Sequence, residues 1–253
     1  MLIYGHRGAR GEAPENTLAG FRCAIEAGVP RVELDLRLSR DGALVVIHDE
    51  DLGRTTGVPG PVTTLSAAEL ARLDASHCFP GWPDPQPIPT ITRVLEEFPQ
   101  MEHMQLEVKP AAASERSALV ERLVALFHGF ALQQRAIVTS FDRDLLAALR
   151  SAAPQIPIGL ISDRARPDPL RDAHAIGAVL LVLHWNLCSK ERLEAAHALG
   201  MQVSAWTVND DQQVRELHRR GIDSIVTDFP TRIGALARSL KPAPTQCRTP
   251  DAS

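Results

Sequence analysis

The chain has 253 residues, 44% of them hydrophobic and 23% charged, with a formal net charge of −4. That length suits one large domain with a substantial core, and α/β barrels commonly reach it. The mild acidity, the absence of a clustered basic stretch and an aromatic content of only 4% argue against nucleic-acid partners.

The first strand-like run is Leu2–Tyr4, so early that no secretion signal is expected before it. It leads into Gly5-His6-Arg7-Gly8. A helix begins near Glu15, carries Leu18, Phe21 and Ile25 on one face, and stops at Gly28. Two strand runs follow, Arg31–Leu38 and Ala43–His48, with Asp41-Gly42 between them. Asp-Gly between apolar runs is a strong hairpin signal. The gap is too short for a parallel crossover, so Ala43–His48 should return antiparallel. With Asp41 and Gly42 as a two-residue turn, Arg40 should pair with Ala43, Leu38 with Val45, and Asp35 with His48. That register places Glu33, Asp35 and His48 on one face.

Residues 49–88 are rich in Pro, Gly and Thr. Their one helix signal is a capping box from Ser66 to Glu69, with Leu65 and Leu70 as a hydrophobic staple. The segment is too long for an ordinary βα loop and reads as an insertion at the catalytic mouth, part of a substrate lid. Beyond it, strands at Met104–Val108, Ala136–Ser140, Ile156–Ile161, Ala178–His184, Gln202–Thr207 and Asp223–Thr227 alternate with amphipathic helices. One helix carries Leu119, Leu123 and Phe127, and later ones follow Asp142, Ser189 and Asp210, the last two closing at Gly200 and Gly221. With the antiparallel return set aside, eight parallel strands remain. The expected fold is therefore α/β, a TIM (β/α)8 barrel with a small insertion at its C-terminal mouth. The domain should span 1–240, with 241–253 a disordered tail that opens on Lys241-Pro242-Ala243-Pro244.

The four cysteines, Cys23, Cys78, Cys188 and Cys247, show no CxxC spacing, which disfavours a zinc ribbon or a dithiol redox site. Free thiols in a reducing compartment are expected, and no apolar run approaches membrane-spanning length. The expected location is the cytoplasm, without membrane insertion.

Active sites of such barrels lie at the C-terminal ends of the strands. There this chain places polar groups on otherwise apolar runs: His6, Glu33, Asp35, Glu107, Lys109, Ser140, Trp206 and Asp228. Glu33, Asp35 and Glu107 offer only oxygen ligands, which suit hard cations such as Mg2+, Ca2+ or Mn2+ rather than Zn2+. An ExD pair on a strand is more often a solvated face. Here the neighbours Val32, Leu34 and Leu36 need the helix-facing side, which turns the acids into the barrel. His6 and His48 suit general acid and base chemistry. One histidine at a strand end is usually a packed residue, but two converging on carboxylates reverse those odds. His184 also ends a strand. Arg7 and Lys109 can grip a phosphate or merely neutralise the acids. Asp49 is evenly balanced between orienting a neighbour and closing a turn. Pro14-Glu15-Asn16-Thr17 most simply starts a helix, and Asp228 most simply ends a strand. Trp206 is a candidate substrate contact, although a Trp in an apolar strand is more often core.

These segments together resemble the glycerophosphodiester phosphodiesterases, chiefly the small cytosolic bacterial members. The matching pieces are His6-Arg7-Gly8, Pro14-Glu15-Asn16-Thr17, Glu33-x-Asp35, Asp41-Gly42, His48-Asp49 with Leu52-x-Arg54-Thr55-Thr56, Pro87-x-Pro89-Thr90, Glu107-x-Lys109, Ser140-Phe141, Trp206-Thr207-Val208-Asn209 and Thr227-Asp228. The resemblance implies metal-dependent hydrolysis of small-molecule glycerophosphodiesters to an alcohol and sn-glycerol 3-phosphate. It implies a divalent cation on Glu33, Asp35 and Glu107, and His6 and His48 as general base and general acid. It also implies attack by the glycerol 2-hydroxyl on phosphorus and a cyclic phosphate that water opens, helped by Arg7 and Lys109. The chain departs from the family at Ile91-Thr92-Arg93-Val94-Leu95, where acidic residues usually precede Val-Leu. That stretch should start a helix, with little effect on chemistry. The rival readings are a phospholipase on the same barrel acting on acylated substrates such as lysophospholipid or sphingomyelin, and a barrel that binds phosphodiesters or metal without catalysis.

Overall fold

The structure is a computed structural model that describes residues 1–110 and 113–240. The expected tail therefore lies outside the described residues. The elements run β1 (Leu2–His6), α1 (Leu18–Glu26), β2 (Arg31–Leu38), β3 (Leu44–Val46), α2 (Gly53–Thr56), α3 (Ala67–Leu70), α4 (Ile91–Glu97) and β4 (His103–Val108). They continue with α5 (Arg116–Gly129), β5 (Ala136–Ser140), α6 (Arg143–Ala152), β6 (Ile158–Ser162), α7 (Pro169–Ala175), β7 (Leu180–His184), α8 (Lys190–Ala198), β8 (Gln202–Trp206), α9 (Asp211–Arg220), β9 (Ser224–Thr227) and α10 (Pro230–Ser239).

Every strand but β3 pairs parallel with its neighbours, in the order β1-β9-β8-β7-β6-β5-β4-β2, and β1 pairs β2 to close the barrel. Strand residues alternate between two environments. On β2, Val32, Leu34 and Leu36 are fully buried in the main core with Phe21 of α1 and Met104, Leu106 and Val108 of β4. The intervening Glu33 and Asp35 therefore face the barrel interior. Gln105 of β4 fills the interior below them, donating from Nε2 to Ser204 Oγ of β8 at 3.3 Å.

Helix starts follow the expected capping chemistry. The side chains of Thr17, Asp142, Ser189 and Asp210 each accept a backbone N–H from the first turn of the helix they begin. Gly200 and Gly221 close α8 and α9 with left-handed backbone. Thr90 caps α4 at Ile91, as expected for the stretch that departs from the family pattern.

The hairpin forms, but its register differs by one residue from the expected one. Leu36 pairs Val46, Arg37 pairs Val45 and Leu38 pairs Leu44. The turn has three residues, Arg40-Asp41-Gly42. Gly42 N donates to Ser39 O at 2.9 Å, Ser39 N donates to Ala43 O at 3.0 Å, and Gly42 adopts φ +74°. This is a type I turn followed by a left-handed residue, the common three-residue alternative to a two-residue loop. The Ser39 hydroxyl decides for it by accepting Ala43 N at 3.0 Å while donating to Asp41 Oδ1 at 2.5 Å. In consequence Ile47, not His48, lies against Asp35, with Ile47 N donating to Asp35 O at 3.1 Å. β3 ends at Val46, and His48 reaches the mouth from the loop beyond it.

The insertion has a small core of its own. Val45 and Ile47 pack with Leu52, Val62, Leu70, Ala75 and Ile88, while Leu44 and Val46 pack into the main core. β3 is thus shared between the barrel and the insertion. The Ser66–Glu69 capping box is present at the start of α3.

Candidate active site

Barrel register assembles the first part of the site. β1 places His6 beside Glu33 of β2, and β2 places Asp35 beside Glu107 of β4. The carboxylates of Glu33, Asp35 and Glu107 each present an oxygen within 4.8 Å of the other two. Burial, with Asp35 and Glu107 adding like charge, pushes the Glu33 carboxyl well above the usual carboxylate range. Burial and Asp35 push Glu107 upward too. Asp35 goes the other way. Burial opposes its charge, but Lys109 and Arg7 outweigh it and hold its carboxyl well below the usual range. Lys109 Nζ is 2.7 Å from Asp35 Oδ1 and also contacts Glu107, and Arg7 Nε is 3.3 Å from Asp35 Oδ2.

The donor set fits a hard divalent cation. All the oxygens are carboxylate, and Glu33 Oε1 is buried without a hydrogen-bond partner. A cation bound among them would partner that oxygen and offset the repulsion between the three acids.

The β1–α1 loop brings in further groups. A Cβ on Gly5 would lie 2.0 Å from the Gly8 carbonyl oxygen, so the loop folds back tightly only with glycine there. Arg7 and Asn16 both adopt positive φ, +50° and +56°. Left-handed backbone is uncommon outside glycine and concentrates at functional sites. It turns the Arg7 backbone N–H onto Glu33 Oε2 at 3.1 Å and Asn16 Nδ2 onto Asp35 Oδ2 at 2.7 Å. Arg7 Nη1 donates to Glu15 Oε1 at 2.8 Å.

Each candidate histidine is held by an aspartate. His6 Nδ1 donates to Asp228 Oδ1 at 2.6 Å, leaving Nε2 3.9 Å from Glu33 Oε2. His48 Nδ1 donates to Asp49 Oδ1 at 2.6 Å. Burial lowers both histidine pKa values, against the pull of Asp228 on His6 and of Asp35 on His48. Neutral rings bonded through Nδ1 carry the proton there and leave Nε2 as the free basic nitrogen.

The residues match the Glycerophosphoryl diester phosphodiesterase family model over residues 6–232. A glycerophosphodiester phosphodiesterase of Bacillus altitudinis is 32% identical over 247 residues, covering 94% of this chain and 99% of that protein. The chain belongs to this family. Its fold agrees. A phosphodiesterase of Oleispira antarctica, solved in complex with the product sn-glycerol-3-phosphate, superposes with a TM-score of 0.85 at 28% identity, covering 94% of this chain and 97% of that one. A glycerophosphodiester phosphodiesterase from Agrobacterium tumefaciens gives 0.81 at 28% identity, covering 93% and 99%. As a member of the family, the chain is a phosphoric diester hydrolase. No described helix is long and apolar enough to cross a membrane.

His6, Arg7, Glu33, Asp35, Glu107 and Lys109 therefore come together through barrel register and the β1–α1 loop, whereas His48 comes within reach of the charges of Asp35, Arg7 and Lys109 from the loop after β3 and not through the expected pairing with Asp35. Trp206 ends β8. It packs edge-to-face on Phe141 at 5.8 Å and on His184 at 5.7 Å, and its indole N–H is buried without a partner. Ser140 turns back into the scaffold, donating to Val108 O at 2.7 Å. Four residues carry more than their local sequence indicates. Asp228 orients His6, Asp49 orients His48, Glu15 gathers Arg7, Arg10 and Arg54, and Asn16 bonds Asp35. The available signal was their place in the family-like segments, since helix starts and strand ends use the same residue types.

Proposed function

We propose that the enzyme hydrolyses glycerophosphodiesters such as glycerophosphocholine and glycerophosphoethanolamine to an alcohol and sn-glycerol 3-phosphate. The observation that carries this reading is the pair of aspartate-held histidines beside three clustered carboxylates. Glu33, Asp35 and Glu107 would hold Mg2+ or Ca2+, with Mn2+ also suited. The bound cation would supply positive charge that polarises the phosphoryl oxygens. Arg7 and Lys109 add fixed positive charge at the same place, and Trp206 offers an indole N–H to a substrate oxygen.

Proton transfer falls to His6 and His48. One neutral ring takes at Nε2 the proton of the hydroxyl that attacks phosphorus, and the other histidine, entering the step as the imidazolium with Nε2 protonated, gives that proton to the departing alkoxide. Asp228 and Asp49 keep each ring in one tautomer and stabilise its cationic form. We read residues 1–240 as one catalytic domain that carries the 49–88 insertion. We place the enzyme in the cytoplasm, consistent with free thiols at Cys23, Cys78 and Cys188.

The test is release of glycerol 3-phosphate from a head-group panel after chelation and re-addition of single metals. Turnover of glycerophosphocholine or glycerophosphoethanolamine that depends on added Mg2+ or Ca2+ is expected. Release only from acylated lysophospholipids would assign a phospholipase instead, and no release from any substrate would reject the reading.

A further inference from the structure

The two orienting systems are not separate. Arg54, on α2 of the insertion, faces two acids at once. Its Nη2 donates to Glu15 Oε1 at 2.7 Å and its Nη1 to Glu15 Oε2 at 2.8 Å. Its Nε donates to Asp49 Oδ2 at 2.5 Å. The other oxygen of Asp49 takes the His48 ring, and Glu15 Oε1 also takes Arg7 Nη1. An unbroken chain thus runs His48–Asp49–Arg54–Glu15–Arg7, from the loop after β3 through the insertion to the loop after β1.

We propose that Arg54 is a positioning residue that sets the His48 ring and the Arg7 guanidinium together, so that the site is complete only when the insertion is docked on the barrel. This rests on the reading above that His48 transfers a proton and Arg7 meets the phosphate. The chemistry requires arginine. A guanidinium presents donors along two edges of one plane, so it can bridge two carboxylates in fixed directions, whereas an ammonium is a point charge without that fork. Without Arg54, Asp49 keeps one partner and is free to rotate, and the His48 ring rotates with it. Glu15 then loses the two bonds that fix the plane in which it holds Arg7. Its side chain is only 4% exposed, so it has little water to replace them. Arg54 itself is 40% exposed, within reach of small solutes.

A purely structural tether would cost stability and leave turnover per folded molecule alone. The full chain with Mg2+ and glycerophosphocholine separates the two roles. Arg54→Ala should lower kcat per folded molecule by about 10- to 100-fold, the scale seen when a group that orients a working side chain from behind is lost. Millimolar guanidinium ion should restore it at least several-fold, without raising wild-type activity. Arg54→Lys should fall between the two. Arg22→Ala, which removes an exposed ion pair to Glu97, should match wild type with and without guanidinium. A kcat within twofold of wild type, or a loss that guanidinium does not relieve, would overturn the proposal. If Arg54→Ala does not fold, Asp49→Asn decides. It keeps the side-chain shape but removes the charge that bridges His48 and Arg54, and it should show a similar loss of kcat that guanidinium does not relieve. Wild-type kcat in that variant overturns the proposal. An inactive wild type instead rejects the functional reading.

Discussion

Asp228 and His6 are 222 residues apart in the chain, and the His6 Nδ1–H donates to Asp228 Oδ1 at 2.6 Å. The second Asp228 oxygen accepts Asn209 Nδ2 at 2.6 Å, and the Asp228 backbone N–H donates to Asn209 Oδ1 at 2.9 Å. The carboxylate is thus fixed from both sides, and its pKa is lowered because the His6 and Asn209 bonds overcome its burial. A carboxylate held this way fixes the tautomer of the ring it meets.

Asp228→Asn should therefore lower kcat by about 10²-fold or more, because an amide at that place can favour the wrong ring tautomer. Thermal melting should change little, since the side chain keeps its shape and its Asn209 contacts. Steady-state kinetics beside a melting curve checks both. Unchanged kcat would show that His6 needs no orientation by Asp228 for turnover.

Three clustered carboxylates repel one another when no cation is bound. Glu33→Gln should therefore melt no lower than wild type in chelator. Wild type should gain several degrees on addition of Mg2+, Ca2+ or Mn2+, by mass action of a ligand that binds only the folded state. The Gln variant should lose most of that gain. Scanning calorimetry with and without metal reads both effects. An equal gain in the variant would place the cation elsewhere.

Glu15 makes an acid-sensitive contribution. Burial opposes its charge, but the bonds from Arg54 and Arg7 win and hold its pKa at about 2, against 4.5 ordinarily. A carboxyl with a depressed folded pKa contributes stability above its unfolded pKa and loses it as pH falls through the folded value. The contribution should be complete above about pH 4.5, fade between there and about pH 2, and amount to about 3 kcal/mol at neutral pH. Urea titrations of Glu15→Gln at several pH values should show a loss of that order at pH 7 that shrinks toward pH 2. A pH-independent difference would exclude the charged contacts as its source.

Gly8 combines φ +87° with a close approach, since a Cβ there would lie 2.6 Å from the Gly20 backbone carbon. Gly8→Ala should cost about 2–4 kcal/mol from left-handed strain and forced displacement of α1. Activity should fall too, because the same loop carries His6 and Arg7. Denaturant unfolding and kinetics measure the two, and a variant as stable as wild type would contradict the tight packing of this loop against α1.

Local physics determined much of this protein from the chain alone. Period-two alternation on Val32-Glu33-Leu34-Asp35-Leu36 already placed the acids inside a barrel, because the apolar neighbours could face only the helices. The βα order and Asp41-Gly42 together implied eight parallel strands and one antiparallel return, as found. The register of that return was not legible, because Asp-Gly suits both a two- and a three-residue turn, and the choice lay in the bonds of Ser39. What holds the working residues lay further out of reach. Asp228 finds His6, and Arg54 finds Glu15, only when barrel closure and insertion docking bring distant segments together. Until then Asp228 reads as a strand end and Glu15 as a helix start. A charged side chain states locally that it needs a partner, and the tertiary fold alone decides which one it has.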